Sequence, residues 1–554
     1  MTSKFHISLA QMNPIVGGLD YNFKKICTVW DSVPKNTDLV VFPEMAVCGY
    51  PPEDLVLNQS FLDEVKKCVE KLVAFSKNKA AAIIPAPWVI DGQIHNVMHM
   101  IENGKITSTQ SKHHLPNYGV FDEARVFTAG PLPDPIKFRG FSLGLMLCED
   151  MWYPKIAKHL KKGGAEILVV PNASPFESGK KAVRHKLAAD RVKETGLPLI
   201  YVHQVGGQDE LIFDGGSFVM NEKGHILLEG DQFAEQTYHV LLEKNDKGII
   251  FGGVENSAVP FSPQEEIYQA LMLGLRDYIG KNNFPGIIIG LSGGIDSALS
   301  AAIAVDALGP ERVHGIMMPS IFTSSVSLAD AQALAKNLGI QIDEISIEKT
   351  VDALQGVLSP HLKNAPPTTF ENIQPRARGI ILMALSNASG KMVLSTGNKS
   401  EMAVGYATLY GDMCGGFNVL KDVYKTQVYE LSNWRNKHRP RGAFGPTGAA
   451  IPQNSINRAP TAELRENQTD QDTLPPYETL DAILKLLVEE ELSVNEIVIL
   501  GHDRATVLKV WALVDRAEYK RRQASPGIKI TRRAFGRDRR YPITNHFVKI
   551  IEKG

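Results

Sequence analysis

The sequence is short of cysteine, of surplus charge of either sign and of long apolar runs. Its five cysteines, Cys27, Cys48, Cys68, Cys148 and Cys414, are odd in number, and no Cys-x-x-Cys pair occurs in the 554 residues. That argues against a disulfide framework and a thiolate zinc centre, and leaves room for a free thiol with a chemical task. Lys and Arg number 60 against 61 Asp and Glu, a net charge of -1. No global field draws the chain to nucleic acid or membrane, so any basic site must be local. No uninterrupted apolar run approaches membrane-spanning length, and the first 20 residues hold no basic segment followed by an apolar one. A cytoplasmic enzyme is expected, and the length calls for two or more domains.

What is present is organised around Gly286 to Ser297, which reads Gly-Ile-Ile-Ile-Gly-Leu-Ser-Gly-Gly-Ile-Asp-Ser. A β-branched run passes through a Ser-Gly-Gly turn into Asp296 and Ser297, good N-cap types, ahead of the helix-forming run Ala298 to Leu308. Gly290, Gly293 and Gly294 let the backbone approach an anion, and the helix start supplies N–H donors and partial positive charge. A phosphate is the expected occupant. The order of a Walker A loop is absent, since no lysine follows the second glycine.

Upstream, short apolar runs predict strands at Phe5 to Ala10, Asp38 to Phe42, Ala80 to Ile84, Val97 to Ile101 and Phe141 to Leu147. Further strands are expected at Ile167 to Val170, Leu199 to His203 and Ser217 to Met220. Two of the runs, and the strand Lys105 to Thr109 that the Asn103-Gly104 turn leads into, deliver a chemically useful group at their end. Glu44 follows the second, Lys112 follows the Asn103-Gly104 hairpin strand, and Cys148 follows Phe141 to Leu147. Each has an ordinary alternative: a solvated loop acid, a surface lysine, a buried apolar thiol. Together the types suit acyl transfer, with a thiol nucleophile, a carboxylate base and an ammonium for the oxyanion. His113 and His114 are adjacent, and adjacent residues rarely share one ion, so they read as structural.

A linker is expected at Glu255 to Pro260, giving domains at 1–250 and 262–554. Ser262-Pro263-Gln264-Glu265 predicts a capped helix start, with Ile267, Leu271, Leu275 and Ile279 on one face. Beyond the glycine loop, Arg312 to Met318 and Gln341 to Ile347 are predicted strands around a helix from Ser327 to Leu338, completing a βαβαβ unit. A further strand, 391–396, brings Thr396 and Glu401 to the same edge as the loop. Asp296 and Glu401 suit one Mg²⁺ bridging phosphates, and either could instead cap a helix. Arg376 and Arg378 sit near a helix start, where an anionic ligand or a carboxylate partner would account for them. Asn433 to Pro476, rich in Pro, Gly, Asn and Gln, is expected as a mobile loop. Residues 516–540 carry ten Lys or Arg against Glu518 and Asp538. Such a run can bind nucleic acid, but a flap closing over an anionic substrate fits better.

Glu44, Lys112 and Cys148, with their flanking residues, resemble the Glu-Lys-Cys triad of the carbon-nitrogen hydrolase (nitrilase) superfamily, over about residues 1–250. The likeness implies an αββα sandwich, with Glu123 as an additional acid beside the triad. Leu-Pro-Asn-Tyr-Gly-Val-Phe-Asp-Glu and Pro171 to Phe176 are similar to its glutaminase branch, which implies Tyr118, Ser174 and Lys180 as glutamine contacts. Ser-Gly-Gly-Ile-Asp-Ser resembles the pyrophosphate loop of ATP pyrophosphatases (adenine nucleotide α-hydrolase-like), which implies a doubly wound parallel sheet. Asn-Ile-Gln-Pro-Arg-Ala-Arg, Leu-Ser-Thr-Gly-Asn-Lys-Ser-Glu and Ala-Glu-Leu-Arg-Glu-Asn-Gln-Thr-Asp-Gln-Asp then look, in order, like the NAD synthetase family in its glutamine-using form. That resemblance implies ATP at Gly290, Leu291, Ser292, Gly293, Gly294, Ile295, Asp296, Ser297 and Thr396. It implies deamido-NAD at Asn372, Glu401 and Lys520, Mg²⁺ at Asp296 and Glu401, small-molecule partners only, and a homo-oligomer. Phe322 stands where the family more often has tyrosine. The alternatives are another glutamine-fed adenylating amidotransferase, and an RNA-binding or regulatory module that holds ATP without turnover.

Overall fold

The computed structural model describes residues 3–245, 248–252 and 258–547. The chain divides into two compact units, Met1–Pro260 and Phe261–Gly554. Of the expected linker, residues 255–257 lie outside the described residues.

The first unit is an αββα sandwich. One sheet has seven strands, in the order Gly248–Gly252, Gln236–Asn245, Ser3–Gln11, Leu39–Val41, Ala81–Ile90, Gln93–Glu102 and Lys105–Ser111. The other has six, from Ile226–Glu229 through Phe218–Met220, Leu199–His203, Ile167–Asn172 and Phe141–Leu145 to Ile136–Phe138. Alternation along the strands explains the layering. Leu39, Val41, Ala81 and Ile83 join Leu143, Val169 and Ile200 in the core between the sheets. Their neighbours Val40, Phe42, Ala82 and Ile84 turn the other way, onto the apolar faces of helices Leu19–Ser32 and Gln59–Phe75. Helices Pro154–Lys162 and Lys180–Thr195 cover the second sheet.

The second unit carries a five-stranded, wholly parallel sheet in the order Gln341–Glu344, Val313–Met317, Ile287–Gly290, Met392–Ser395, Phe417–Asn418. Helix Ile295–Leu308 packs against the first and second strands of this unit in sequence, and Ile373–Ser389 against the first and fourth, as in a doubly wound fold. Helix Pro263–Lys281 opens as expected, with Pro263 in its first turn and the Ser262 side chain accepting from Glu265 N. Ile267, Leu271, Leu275 and Ile279 are all buried.

Several expectations need correction. Gly294, not Asp296 or Ser297, is the N-cap of helix Ile295–Leu308, so both polar residues lie inside its first turn. Glu401 is not a cap either, because Asn398 caps helix Lys399–Val404 and accepts from Glu401 N at 3.0 Å. The strand toward Cys148 stops at Leu145, since Cys148 itself takes φ 48° and opens a short 3-10 turn. Asn433 to Lys437 finish a helix, Lys425–Lys437, and Gln453–Asn457 is helical, so the stretch to Pro476 is only partly loop. Three strands of the first unit after residue 220 were not anticipated, although Gln236–Asn245 pairs along the whole of Ser3–Gln11.

Candidate active sites

In the first unit, the strand ends converge on a buried ion cluster. Lys112 Nζ donates to Glu44 Oε1 at 2.8 Å and to Glu123 Oε1 at 2.8 Å, with Lys112 and Glu44 fully buried. Asn96 Nδ2 holds Glu44 Oε1 at 2.8 Å, and Tyr50 OH holds Glu123 Oε1 at 2.8 Å. The second oxygens, Glu44 Oε2 and Glu123 Oε2, are buried without a hydrogen-bond partner among the described residues. Burial opposes the Lys112 charge, but Glu123 and Glu44 outweigh it and hold its ammonium well above the ordinary lysine range. Burial pushes Glu123 up to about 7, against the pull of Lys112, with Glu44 adding to the rise.

Cys148 is 1% exposed. Burial, then the Glu44 charge, raises its thiol well above the ordinary range, while Lys112 pulls it down. Its positive φ, sparsely populated by residues with a Cβ, is the kind of local strain found where a side chain must be aimed. Asp150 stitches this turn to the lysine loop, since its carboxylate accepts from Leu147 N at 3.1 Å, His113 N at 3.2 Å and His114 N at 2.8 Å. His113 is structural in the same sense, with Nδ1 on the Gly130 carbonyl at 2.7 Å.

The expected glutamine contacts are less unified. Tyr118 OH donates to Glu149 Oε2 at 3.0 Å, directly beside Cys148 in sequence. Lys180 pairs with Glu177 at 3.1 Å and lies 5.0 Å over the Trp152 ring. Ser174 is buried in a turn where its N–H reaches Asn172 Oδ1 at 2.7 Å and His203 Nε2 at 3.1 Å, with no bond to the lysine–glutamate cluster. His203 Nδ1 lies 2.8 Å from the Gly215 carbonyl, so that nitrogen carries the hydrogen. Burial holds the ring neutral, at about 4.

In the second unit, the glycine loop stands at the carboxyl end of its strand. Gly293 has φ 77°, and a Cβ there would fall 2.3 Å from the Ser327 carbonyl oxygen, so only glycine fits. Ser292 Oγ accepts from Gly294 N at 3.2 Å and meets Ser297 Oγ at 3.1 Å, which shapes the turn around the first-turn amides that a helix leaves without carbonyl partners. Two cavities open here. One, about 270 Å³, is lined by Gly290, Leu291, Met318, Arg378, Leu382 and Thr396 among others. The other, about 670 Å³, is lined by Asp296, Asn372, Thr396, Glu401, Lys425 and Lys520 among others. Ser292 and Gly294 line both, and Gly293 lines neither because it turns toward Ser327.

Between the two expected metal ligands stands a cation that the sequence did not announce. Lys425 Nζ donates to Asp296 Oδ2, and to Glu401 Oε1 at 3.2 Å. Asn398 Nδ2 holds the other Asp296 oxygen at 2.8 Å. Burial raises Glu401 to about 8, with Lys425 opposing and Asp296 adding. Asn372 Oδ1 accepts from Thr408 Oγ1 at 2.8 Å, and Lys520 Nζ donates to the Gly405 and Ala407 carbonyls at 2.8 and 2.7 Å, so both stand at one wall. Arg378 takes no carboxylate among the described residues; its Nε donates to the Met318 carbonyl at 3.0 Å. Most of the basic tail is paired within the unit, as in Arg521 on Glu518 and Lys529 on Asp538. Lys520 alone of the tail's cations lines these cavities.

Asn96, Tyr50, Glu149, Asp150, Asn398 and Lys425 were missed. They reach the sites from other elements, and only Lys425, following Asp422-Val423-Tyr424 after an apolar run, carried a local hint of a placed charge.

Residues 6–246 match the carbon-nitrogen hydrolase family and residues 267–524 the NAD synthase family. An amide hydrolase joined to a nucleotide-using synthetase defines a glutamine-hydrolysing carbon–nitrogen ligase. The chain is 47% identical to the glutamine-dependent NAD(+) synthetase of Rhodobacter capsulatus, over 99% of each chain. It is 43% identical to that of Acinetobacter baylyi, over 98% of each. A solved glutamine-dependent NAD(+) synthetase from Acinetobacter baumannii, in complex with ADP, aligns at 42% identity and TM-score 0.78, over 98% of this chain and 99% of that one. The chain therefore belongs to the glutamine-dependent NAD(+) synthetases. No helix among the described residues is long and apolar enough to cross a membrane.

Proposed function

We propose that Cys148, Glu44 and Lys112 release ammonia from glutamine, and that the paired cavities of the second unit use ATP to place that nitrogen on deamido-NAD. The observation that carries the reading is the vacant buried oxygen of Glu44. Its Oε1 is taken by Lys112 and Asn96, while Oε2 has no partner among the described residues and the Glu44 charge raises the Cys148 thiol. A thiol proton is the donor such an oxygen lacks.

Cys148 Sγ gives its proton to Glu44 as it bonds to the amide carbon, and the Lys112 ammonium stabilises the oxyanion. Collapse breaks the carbon–nitrogen bond, Glu44 returns the proton to the departing ammonia, and a thioester remains. Water, deprotonated by Glu44, hydrolyses it to glutamate. Tyr118, Ser174 and Lys180 would position the substrate, and Glu123 shares the lysine.

In the second unit, Gly290 to Ser297 and Thr396 would bind ATP, and Asn372, Glu401 and Lys520 the deamido-NAD. A nicotinate oxygen bonds to the α phosphorus and pyrophosphate leaves. Ammonia then attacks the acyl carbon and AMP leaves, because phosphate is a far better leaving group than oxide. Asp296 and Glu401 offer two carboxylates to the larger cavity, a hard oxygen donor set that would suit Mg²⁺, and these two residues would hold it. When bound, the ion would neutralise charge on the phosphates. The same reading implies a cytoplasmic homo-oligomer working on small molecules; light scattering after size exclusion tests the assembly.

Cys148→Ala should abolish synthesis from glutamine and leave synthesis from ammonium chloride within a few-fold of wild type. Loss of both would sink the division of labour.

A further inference from the structure

Resting on the reaction just proposed, the geometry assigns a catalytic cation to the second unit. The departing pyrophosphate belongs with the glycine loop, the α phosphate next to it, and the acceptor carboxylate with the larger cavity, so the reacting groups must meet where the cavities share walls. Among the shared lining residues Arg458 is the one cation and Asp412 the one acid. Lys425 and Lys520 line only the larger cavity, and Arg378 only the smaller.

Arg458 follows helix Gln453–Asn457, in the stretch whose composition suggested a plain loop. Its Nη2 donates to the Gly293 carbonyl at 3.2 Å and its Nη1 to Ser327 Oγ at 2.8 Å. The guanidinium is therefore hung on the backbone of the glycine loop itself. Its acidic neighbour is only loosely engaged. Glu463 Oε1 lies 4.0 Å from Nη1 and instead accepts from Ser327 Oγ at 2.7 Å and Ser324 Oγ at 3.0 Å. Three of the five N–H donors have no acceptor among the described residues. A fixed, half-committed guanidinium between two anion sites is preorganised for charge that develops during transfer, and costs no rearrangement when it does.

We propose that Arg458 contacts the α phosphate while the nicotinate oxygen–phosphorus bond forms and the bond to the β-phosphate oxygen breaks. It balances the equatorial charge while pyrophosphate departs with the electron pair. A planar fork can span the α phosphate and the incoming carboxylate together, which an ammonium cannot.

The test is single-turnover release of pyrophosphate from ATP with deamido-NAD, using wild type, Arg458→Ala and Arg458→Lys. Arg458→Ala should slow this step about 10³-fold, the scale of a transition-state arginine, with ATP dissociation changed by only a few-fold. Arg458→Lys should fall between, and added guanidinium should recover at least about tenfold of the alanine variant's rate, which a packing role would not permit. A rate within about fivefold of wild type, or a loss without rescue that tracks weakened ATP binding, overturns the assignment. Wild type that releases no pyrophosphate in response to deamido-NAD fails the proposed reaction itself, and is told apart because it needs no variant.

Discussion

Replacing Glu123 by Gln should change how the stability of the first unit depends on pH. Burial drives the Glu123 carboxyl from 4.5 to about 7, while Lys112 at 2.8 Å and Tyr50 at 2.8 Å limit the rise. A carboxyl whose folded value is raised binds its proton more tightly folded than unfolded. Its contribution is complete below the unfolded value and is lost as pH rises through about 7. At roughly 1.4 kcal/mol per pH unit, the span from 4.5 to about 7 is worth about 3 kcal/mol. A neutral amide has no such loss. Calorimetric scans of wild type and Glu123→Gln at pH 5, 6, 7 and 8 differ chiefly in this titration, with the smaller response of its neighbours Lys112 and Cys148 included in the difference. The variant should gain on wild type with rising pH, by on the order of 5 to 10 °C in the midpoint of the first unit's transition. Parallel curves for the two proteins would refute the claim that Glu123 is forced to ionise in a buried, Glu44-facing site.

Three other perturbations address the second unit. Gly293→Ala must place a Cβ 2.3 Å from the Ser327 carbonyl at φ 77°, so the loop has to open; ATP titrations should show KM raised at least tenfold, on the order of the 1.4 kcal/mol that a displaced loop costs. Asp306→Asn removes the charge partner of Arg435, whose Nη2 donates to Asp306 Oδ1 at 3.0 Å in a fully buried pair, and also weakens the Tyr268 OH contact at 2.7 Å. Leaving that guanidinium unpaired should cost about 3 to 5 kcal/mol, read as a lowered unfolding temperature. Lys425→Met removes the group that pulls Glu401 down toward about 8, so the carboxyl should rise further. The Mg²⁺ concentration needed for half-maximal ammonium-dependent synthesis at pH 7.5 should then grow and recover as pH is raised; a requirement independent of pH would contradict this.

The sequence announced groups that follow a change of pattern and concealed those that answer them from elsewhere. Glu44 and Cys148 each follow an apolar run, Lys112 follows the strand after the Asn103-Gly104 turn, and these changes of pattern mark strand edges. Asn96 sits mid-strand in Gln93–Glu102 and Tyr50 in an irregular segment, so nothing local shows that they hold the two carboxylates. Boundaries were read well where both faces are buried, as at Leu199–His203, and poorly where a site bends the backbone, as at Cys148. Asp296 looked like a cap because of its residue type, but Gly294 already provides the extended φ and ψ that a cap needs. Strands such as Gln236–Asn245 were invisible because their outward positions are polar or charged and their pairing partner lies more than two hundred residues upstream.

The two sites share a device although their folds do not. In each, one lysine is bracketed by two carboxylates from distant parts of the chain: Glu44–Lys112–Glu123 and Asp296–Lys425–Glu401. Desolvation raises one carboxyl of each pair, Glu123 to about 7 and Glu401 to about 8, and the second carboxylate adds to the rise because one ammonium cannot offset both. A fully ionised trio would leave a net buried charge, which is costly, and a fully neutral one would leave the lysine unpaired. The intermediate state lets the trio gain or lose a proton near neutral pH at little cost. On the reaction proposed above, that latitude would suit Glu44 as the group that takes the thiol proton and gives it back, since Glu123 can absorb the change in charge beside Lys112. In the second unit the same reading has Glu401 release its proton as a cation arrives with the phosphates.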